Sequence, residues 1–398
     1  MSAIVVNEPN RWRLETPGHS GWARSARPGD ATKYFMISAD AHVNEPASLW
    51  RDRIDAKYKD RLPRVITDEN GVQWRVSEGH RPDRLRLSNL EGEDLVRAQA
   101  GADPEARLQD MERDGIDAEV LFPNKGLAMW ATPDPVFAMA QCKVYNSWAW
   151  EVFGPYNDRM SPAAAIATGD LEGSIDEVKR VAKLGFRALT LPCKPMWGAH
   201  DVEHPNYNLP HFDPLWAVIQ DAGLPVTFHV STGRDPRAAR GNGGAVINYV
   251  SHSLSPTIEP VANLCASGVL ERFPGLRFAT IEAGIGWIPW LLTAMDEAYK
   301  KHHFWVRPKL RNLTSEYFRQ HGFASFQEDP PGLDLAERYG VVDCVMWGND
   351  YPHHEGTWPH SAEAIERTMR SLDDAQRAKV LGLNAARLFK FPVPPARR

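Results

Sequence analysis

Five residues of types that bind metals or move protons stand at the ends of short apolar runs. Asp40 and His42 close Tyr34-Phe35-Met36-Ile37-Ser38-Ala39, and His229 closes Pro225-Val226-Thr227-Phe228. Glu282 ends Leu276-Arg277-Phe278-Ala279-Thr280-Ile281, and Asp350 follows Val345-Met346-Trp347-Gly348-Asn349. Runs rich in β-branched and aromatic residues read as buried strands. Asp40 and His42 sit two apart, so in an extended chain they project to one face. Imidazole and carboxylate together form a mixed N/O ligand set for a divalent ion such as Zn, Mn or Fe. Such an ion lowers the pKa of a bound water toward ~7 and polarises a substrate oxygen. Glu282, His252 and Asp350 are the candidates for moving protons. His252, His302 and His353 are further candidate ligands in the loops. Competing structural roles are an Asx-turn cap for Asp40 and a buried ion pair with Arg187 or Arg277 for Glu282. Glu45, before Pro46, reads as a cap or a hydrogen-bond acceptor behind the ligands. Lys194 follows the fourth strand, separated from it by Pro192 and Cys193.

The elements needed to bring these residues together are about eight strands, each separated from the next by a helix. Repeated β-then-α implies parallel pairing through right-handed crossovers. Eight such units close a (β/α)8 TIM barrel, an α/β fold in which strand C-terminal ends converge on one face. A doubly wound sheet competes, but no G-x-G-x-x-G turn follows the first strand. Residues 1–33 are polar and aperiodic and form an expected N-terminal arm, either disordered or wrapped on a neighbour. The barrel domain is expected over 34–398, with insertions at about 60–103, 192–212 and 231–256 that cover its C-terminal face. The first begins with a hairpin signalled by Asn70-Gly71 between β-prone runs. The second carries Trp197, His200, His204 and Tyr207, and the third His252. A helix is expected over 135–153 and another over 256–272.

Composition bounds the partners. The net charge of -5, from 46 basic and 51 acidic residues, offers no polycationic face, which argues against nucleic acid or an anionic membrane. No segment is long and apolar enough to span a bilayer: the stretch 285–295 is short and interrupted by Pro289. The N-terminus lacks a secretory pattern, and the four cysteines form no C-x-x-C pair, so a reducing cytoplasm is the expected location. The 14 tryptophans point to aromatic-lined pockets or an extensive interface, in a homo-oligomer or with a related barrel subunit.

With Ser267-Gly268-Val269-Leu270-Glu271-Arg272-Phe273-Pro274 and Asp350-Tyr351-Pro352, the strand-end residues make the chain resemble the amidohydrolase-related branch of the amidohydrolase superfamily. The likeness is to its aminocarboxymuconate-semialdehyde decarboxylase-like enzymes and covers about 36–389. It implies a barrel with metal ligands on the first, fifth, sixth and eighth strands. His42 then matches the second histidine of the family's H-x-H, with Asp40 in the place of the first. His229 matches the strand-five ligand and Asp350 the strand-eight aspartate, while Glu282 stands where the decarboxylases carry a catalytic histidine. The implied activity is that of a metal-dependent hydrolase or decarboxylase acting on a small carboxylated substrate. The two changes from imidazole to carboxylate harden the site and suit Mn or Fe. They also open an alternative, since some relatives resemble dinuclear Fe/Fe or Mn/Fe oxygenases that hydroxylate small aliphatic substrates. A non-catalytic partner subunit is the third reading.

Overall fold

The computed structural model describes residues 4–78, 82–85, 90–101, 103–196, 204–232, 239 and 241–395. Eight strands pair in parallel: β1 (Ile37–Val43), β5 (Ala118–Pro123), β6 (Met160–Ala165), β7 (Ala188–Leu191), β8 (Val226–His229), β9 (Phe278–Ile281), β10 (Gly322–Phe326) and β11 (Val345–Trp347). The hairpin strands β2 (Arg64–Thr67) and β3 (Gln73–Val76), with β4 (Asp83–Arg84), form a separate antiparallel sheet. Closure comes just beyond β11. Ala41 bridges Tyr351 in parallel, Asp350 N donates to Asp40 O at 3.0 Å, and His42 N to Tyr351 O at 2.6 Å. The molecule is the (β/α)8 barrel that the alternation of patterns predicts.

Barrel strands are buried on both faces, which is why they read as apolar runs and not as alternations. All seven residues of β1 are buried. Ile37, Ala39, Val120, Phe122, Ala163, Ala188, Ala279, Ile281 and Met346 pack together inside. Leu388 and Phe389 of the C-terminal helix Asn384–Phe389 close over the strands' N-terminal ends. The opposite mouth is left for the strand-end residues. The expected long helix is Pro135–Phe153, and its preceding Asp134 accepts from Val136 N and Phe137 N. A cap of this kind satisfies amides that lack an intrahelical partner.

Three expectations change. The predicted helix over 256–272 is two, Ser255–Ala266 and Val269–Arg272, broken at Ser267-Gly268. The insertion over 231–256 contains the helix Gly244–Tyr249 and a π-turn, Val250–Leu254, that runs on into Ser255–Ala266. Among the described residues the arm lies on its own barrel. Arg27 pairs with Glu366 at 2.7 Å, and Ala23 N donates to Asp374 at 2.7 Å. Trp197 and His200 of the second insertion lie outside the described residues. Among the described residues no helix is long and apolar enough to cross a membrane.

Candidate metal centre

β1 delivers Asp40 and His42 to the mouth, and β8 delivers His229 as its last residue. Glu282 follows β9 directly, and Asp350 lies three residues beyond β11. Glu282 (φ 58°) and Asp350 (φ 55°) both hold left-handed backbone. For residues with a Cβ this conformation costs on the order of 1–3 kcal/mol and clusters at functional sites. Gly348 lets β11 come close to β1: a Cβ there would sit 2.7 Å from Asp40 Cβ. Any larger residue would push Asp350 away from Asp40.

The five strand-end residues converge, and His353 joins them. One ligand atom each from Asp40, His42, His229 and Glu282 lie within 4.8 Å of one another. His42, Glu282, Asp350 and His353 form a second such group, sharing two members with the first. His42 Nε2 stands 3.5 Å from Asp40 Oδ1, 3.3 Å from Asp350 Oδ1 and 3.7 Å from Glu282 Oε2. His229 Nε2 is 3.4 Å from Asp40 Oδ1 and 3.5 Å from Glu282 Oε2. These separations are too long for good hydrogen bonds and suit donors arranged around an ion.

Hydrogen bonding on the far side of each ring fixes the tautomer. His42 Nδ1 meets Pro123 O at 2.9 Å, and His229 Nδ1 meets Val230 O at 2.9 Å. A carbonyl can only accept, so Nδ1 carries the proton and each Nε2 lone pair faces the cluster. His42 Nε2, His229 Nε2, both Asp40 oxygens and Asp350 Oδ2 are buried with no hydrogen-bond partner. So many orphaned buried polar atoms at one point would be costly unless something binds them. The donor set fits a divalent metal. Phe122 packs beneath, 5.2 Å from the His229 ring and 6.4 Å from His42.

With protein groups alone, burial together with Asp350 and Asp40 drives the Glu282 carboxyl well above the ordinary carboxylate range. Burial acts against Asp350 too, but His353 and His42 outweigh it and hold this carboxyl low. Burial depresses His42, with His353 adding to it. At His353 burial is overcome by the charge and the 2.8 Å contact of Asp350, and the imidazole is carried up to about 9.

The other expectations sort by geometry. His302 is exposed at the end of helix Ile288–Lys301, its ring stacked 5.6 Å from Trp305, and it stands outside the cluster. His252 rides the π-turn with a buried, unpartnered Nδ1 and is outside both donor groups. Among the described residues Glu282 forms no pair with arginine: Arg187 donates to Asn157 O and Lys390 O, and Arg277 to Pro274 O and Leu276 O. Glu45 accepts from Asn124 N, Lys125 N and Gly126 N behind β1 and β5, the acceptor role expected of it. Lys194 faces Glu259 at 3.4 Å.

Two features had no signal in the sequence. Tyr249, with Leu254, Glu282, Phe326, Gln327 and Glu328, lines a cavity of about 210 Å³ beside the donors. Arg107 donates to Glu119 and to His42 O, both at 2.6 Å, and lies 4.7 Å over the Tyr351 ring. It thereby ties the two strands that carry Asp40, His42 and Asp350.

Comparison with known proteins agrees with this architecture. The amidohydrolase family model matches residues 39–391. A gamma-resorcylate decarboxylase from Rhodococcus jostii is 26% identical over 300 residues, covering 72% of this chain and 87% of that protein. A 2-amino-3-carboxymuconate-6-semialdehyde decarboxylase from Dictyostelium discoideum is 22% identical over 294 residues, 71% of this chain and 75% of that one. Among solved structures, an amidohydrolase from Mycobacterium avium subsp. paratuberculosis superposes with a TM-score of 0.73 at 21% identity, covering 90% of this chain and all of the other. A 5-carboxyvanillate decarboxylase from Novosphingobium aromaticivorans, crystallised with manganese, gives 0.65 at 16% identity, covering 92% and 99%. The match over nearly all of the barrel places this chain in the amidohydrolase family.

Proposed function

We propose that the chain is a metal-dependent decarboxylase of a small carboxylated aromatic or enol-type substrate. The observation that carries this reading is the pair of Nε2 lone pairs of His42 and His229 facing Asp40, Glu282 and Asp350 with no protein partner. The names of the relatives supply the reaction class. A bound divalent ion would be held by Asp40, His42, His229 and Asp350. It would supply Lewis-acid stabilisation of the electron pair left when the carbon–carboxylate bond breaks. Glu282, standing among the donors, is placed to deliver a proton to that carbon, and water would restore it. Tyr249 and Phe326 offer aromatic walls to a planar substrate.

A second reading is favoured by the donor count. Six donors in two overlapping groups exceed the three or four that one ion requires alongside water and substrate. Two ions, Fe/Fe or Mn/Fe, with O2 as co-substrate would make the chain an oxygenase. Elemental analysis of protein produced with Zn, Mn and Fe all available separates the two, as does product analysis of resorcylate-type and carboxyvanillate-type acids. One ion per chain and CO2 release support the decarboxylase; two ions including iron, with O2 uptake, replace it. In either case Asp350→Asn is expected to lower turnover by at least about 100-fold, since it weakens a ligand or its hydrogen bonding. Full turnover in that variant would remove Asp350 from the site.

A further inference from the structure

The loop that follows Asp350 is gripped in part from outside the family's matched segment. Three backbone hydrogen bonds shape it: His353 N to Asp350 O at 2.9 Å, Gly356 N to His353 O at 3.1 Å, and Thr357 N to Asn349 O at 2.9 Å. Gly356 packs directly on the Asn349 and Asp350 carbonyls, where a Cβ would collide. The carbonyls of His354 and Gly356 point away from the donors, toward two buried guanidiniums. Arg13 of the arm donates to Gly356 O at 2.6 Å and to His354 O at 2.9 Å. Arg97 donates to the same carbonyls at 3.0 and 3.2 Å. Arg97 is 0% and Arg13 7% exposed, so two cations are desolvated on one pair of neutral acceptors.

Burying two guanidiniums is costly, and here the loop carbonyls supply the hydrogen bonds that offset the cost. The nearest anion to Arg97, Glu93, is 3.8 Å from its Nη2, and Asn7 N of the arm donates to Glu93 at 3.2 Å. On its other side the arm is linked to the cavity wall through Arg367. Arg367 Nη1 donates to Arg13 O at 3.1 Å and Glu15 O at 3.0 Å, while its Nη2 meets Glu328 at 2.5 Å. Glu328 lines the cavity with Glu282. One stretch of arm therefore contacts the loop bearing His353 and a residue behind the cavity wall.

We propose that Arg13 is a positioning residue for His353: the arm, lying before residue 39, completes the scaffold of the metal centre. This rests on the six-donor reading above, in which His353 is a metal donor. The guanidinium fork is needed because its two parallel N–H groups span two carbonyls, which the point charge of a lysine does not.

The test uses full-length protein stripped of metal by chelation and titrated with Mn²⁺ alone, with amide hydrogen exchange followed over 350–357. Arg13→Met keeps the apolar stem and removes the fork; Arg13→Lys keeps the charge. Arg27→Met breaks the arm's pairing with Glu366 without touching the loop. Expected are faster exchange at 353–357 in both Arg13 variants and Mn²⁺ affinity weaker by about 10–100-fold. Arg27→Met should leave both readouts within about twofold of wild type. Unaltered loop exchange in Arg13→Met, or an equal effect from Arg27→Met, overturns the proposal. His353→Ala is the separate control: wild-type Mn²⁺ affinity there removes the donor role of His353, whatever Arg13 does to the loop.

Discussion

Glu282, Asp40 and Asp350 bring three carboxyl groups to one buried point, with imidazole edges as their nearest partners. Burial and the neighbouring aspartates raise the Glu282 pKa, so folding favours its protonated form. Its contribution to stability is complete below the ordinary value of 4.5 and is lost as pH rises through the raised one. Glu282→Gln should therefore raise the melting temperature of the metal-free protein at mildly alkaline pH, with little change near pH 4. The same variant should retain most of the further rise that Mn²⁺ gives wild type, since Asp40, His42, His229 and Asp350 are unchanged. Calorimetry at the two pH values checks both, and equal shifts at the two would contradict the assignment. These side chains were legible in the sequence because each ends a strand-like run, and a barrel brings such ends to one face. His302 and His353 were not separable by that logic, since both are loop histidines. Only the turn after Asp350 carries one of them inward, while the other stacks on Trp305 in solvent.

The segment that presents Asp350 is fixed by a buried carboxylate on a helix. Asp114 ends Pro104–Asp114 and accepts from Asn349 Nδ2 at 3.1 Å, Ser361 N at 3.1 Å and Ser361 Oγ at 2.6 Å. Burial outweighs these donors and lifts its pKa to about 6. A raised acid contributes fully below about 4, and that contribution disappears as pH rises through about 6. At most roughly 3 kcal/mol rides on the shift, at ~1.4 kcal/mol per unit. In Asp114→Asn, which cannot ionise, the decline in stability between pH 4 and 7 should be smaller than in wild type by up to that amount. Urea midpoints of the metal-free proteins across this range measure it; parallel curves would show that Asp114 does not titrate there. At this scale strands and long helices were readable from apolar runs, caps and the Asn70-Gly71 hairpin. The π-turn at Val250–Leu254 was not, because it leaves the 3.6-residue pattern nearly intact while shifting which side chains face the cavity.

The molecule as a whole is joined across its mouth by the centre it builds. Donors come from the ends of β1, β8, β9 and β11, so an ion held there would link opposite walls of the barrel. Binding to the folded state alone stabilises by about 4 kcal/mol at 1,000 times Kd. Chelation should accordingly move the denaturation midpoint of the entire barrel, with an unchanged dependence on denaturant. A shift confined to the exchange of 350–357 would instead mean that the ion orders only one loop. The arm was least legible at this scale. Its polar, aperiodic composition reads as unstructured, and its contacts are made with residues such as Gly356, 343 positions away along the chain. Closure at Ala41 and Tyr351 has a further consequence, for synthesis. Ser38 of β1 bonds Asn349, 311 residues later, so β1 waits for its last partner through roughly 15–60 s of translation at 5–20 residues per second. Until then the β1 edge lies open and two donors, Asp40 and His42, stand without the rest. Metal loading is therefore an event of the finished chain, and the ions free in the cell at that moment share with the ligand set in deciding which one is captured.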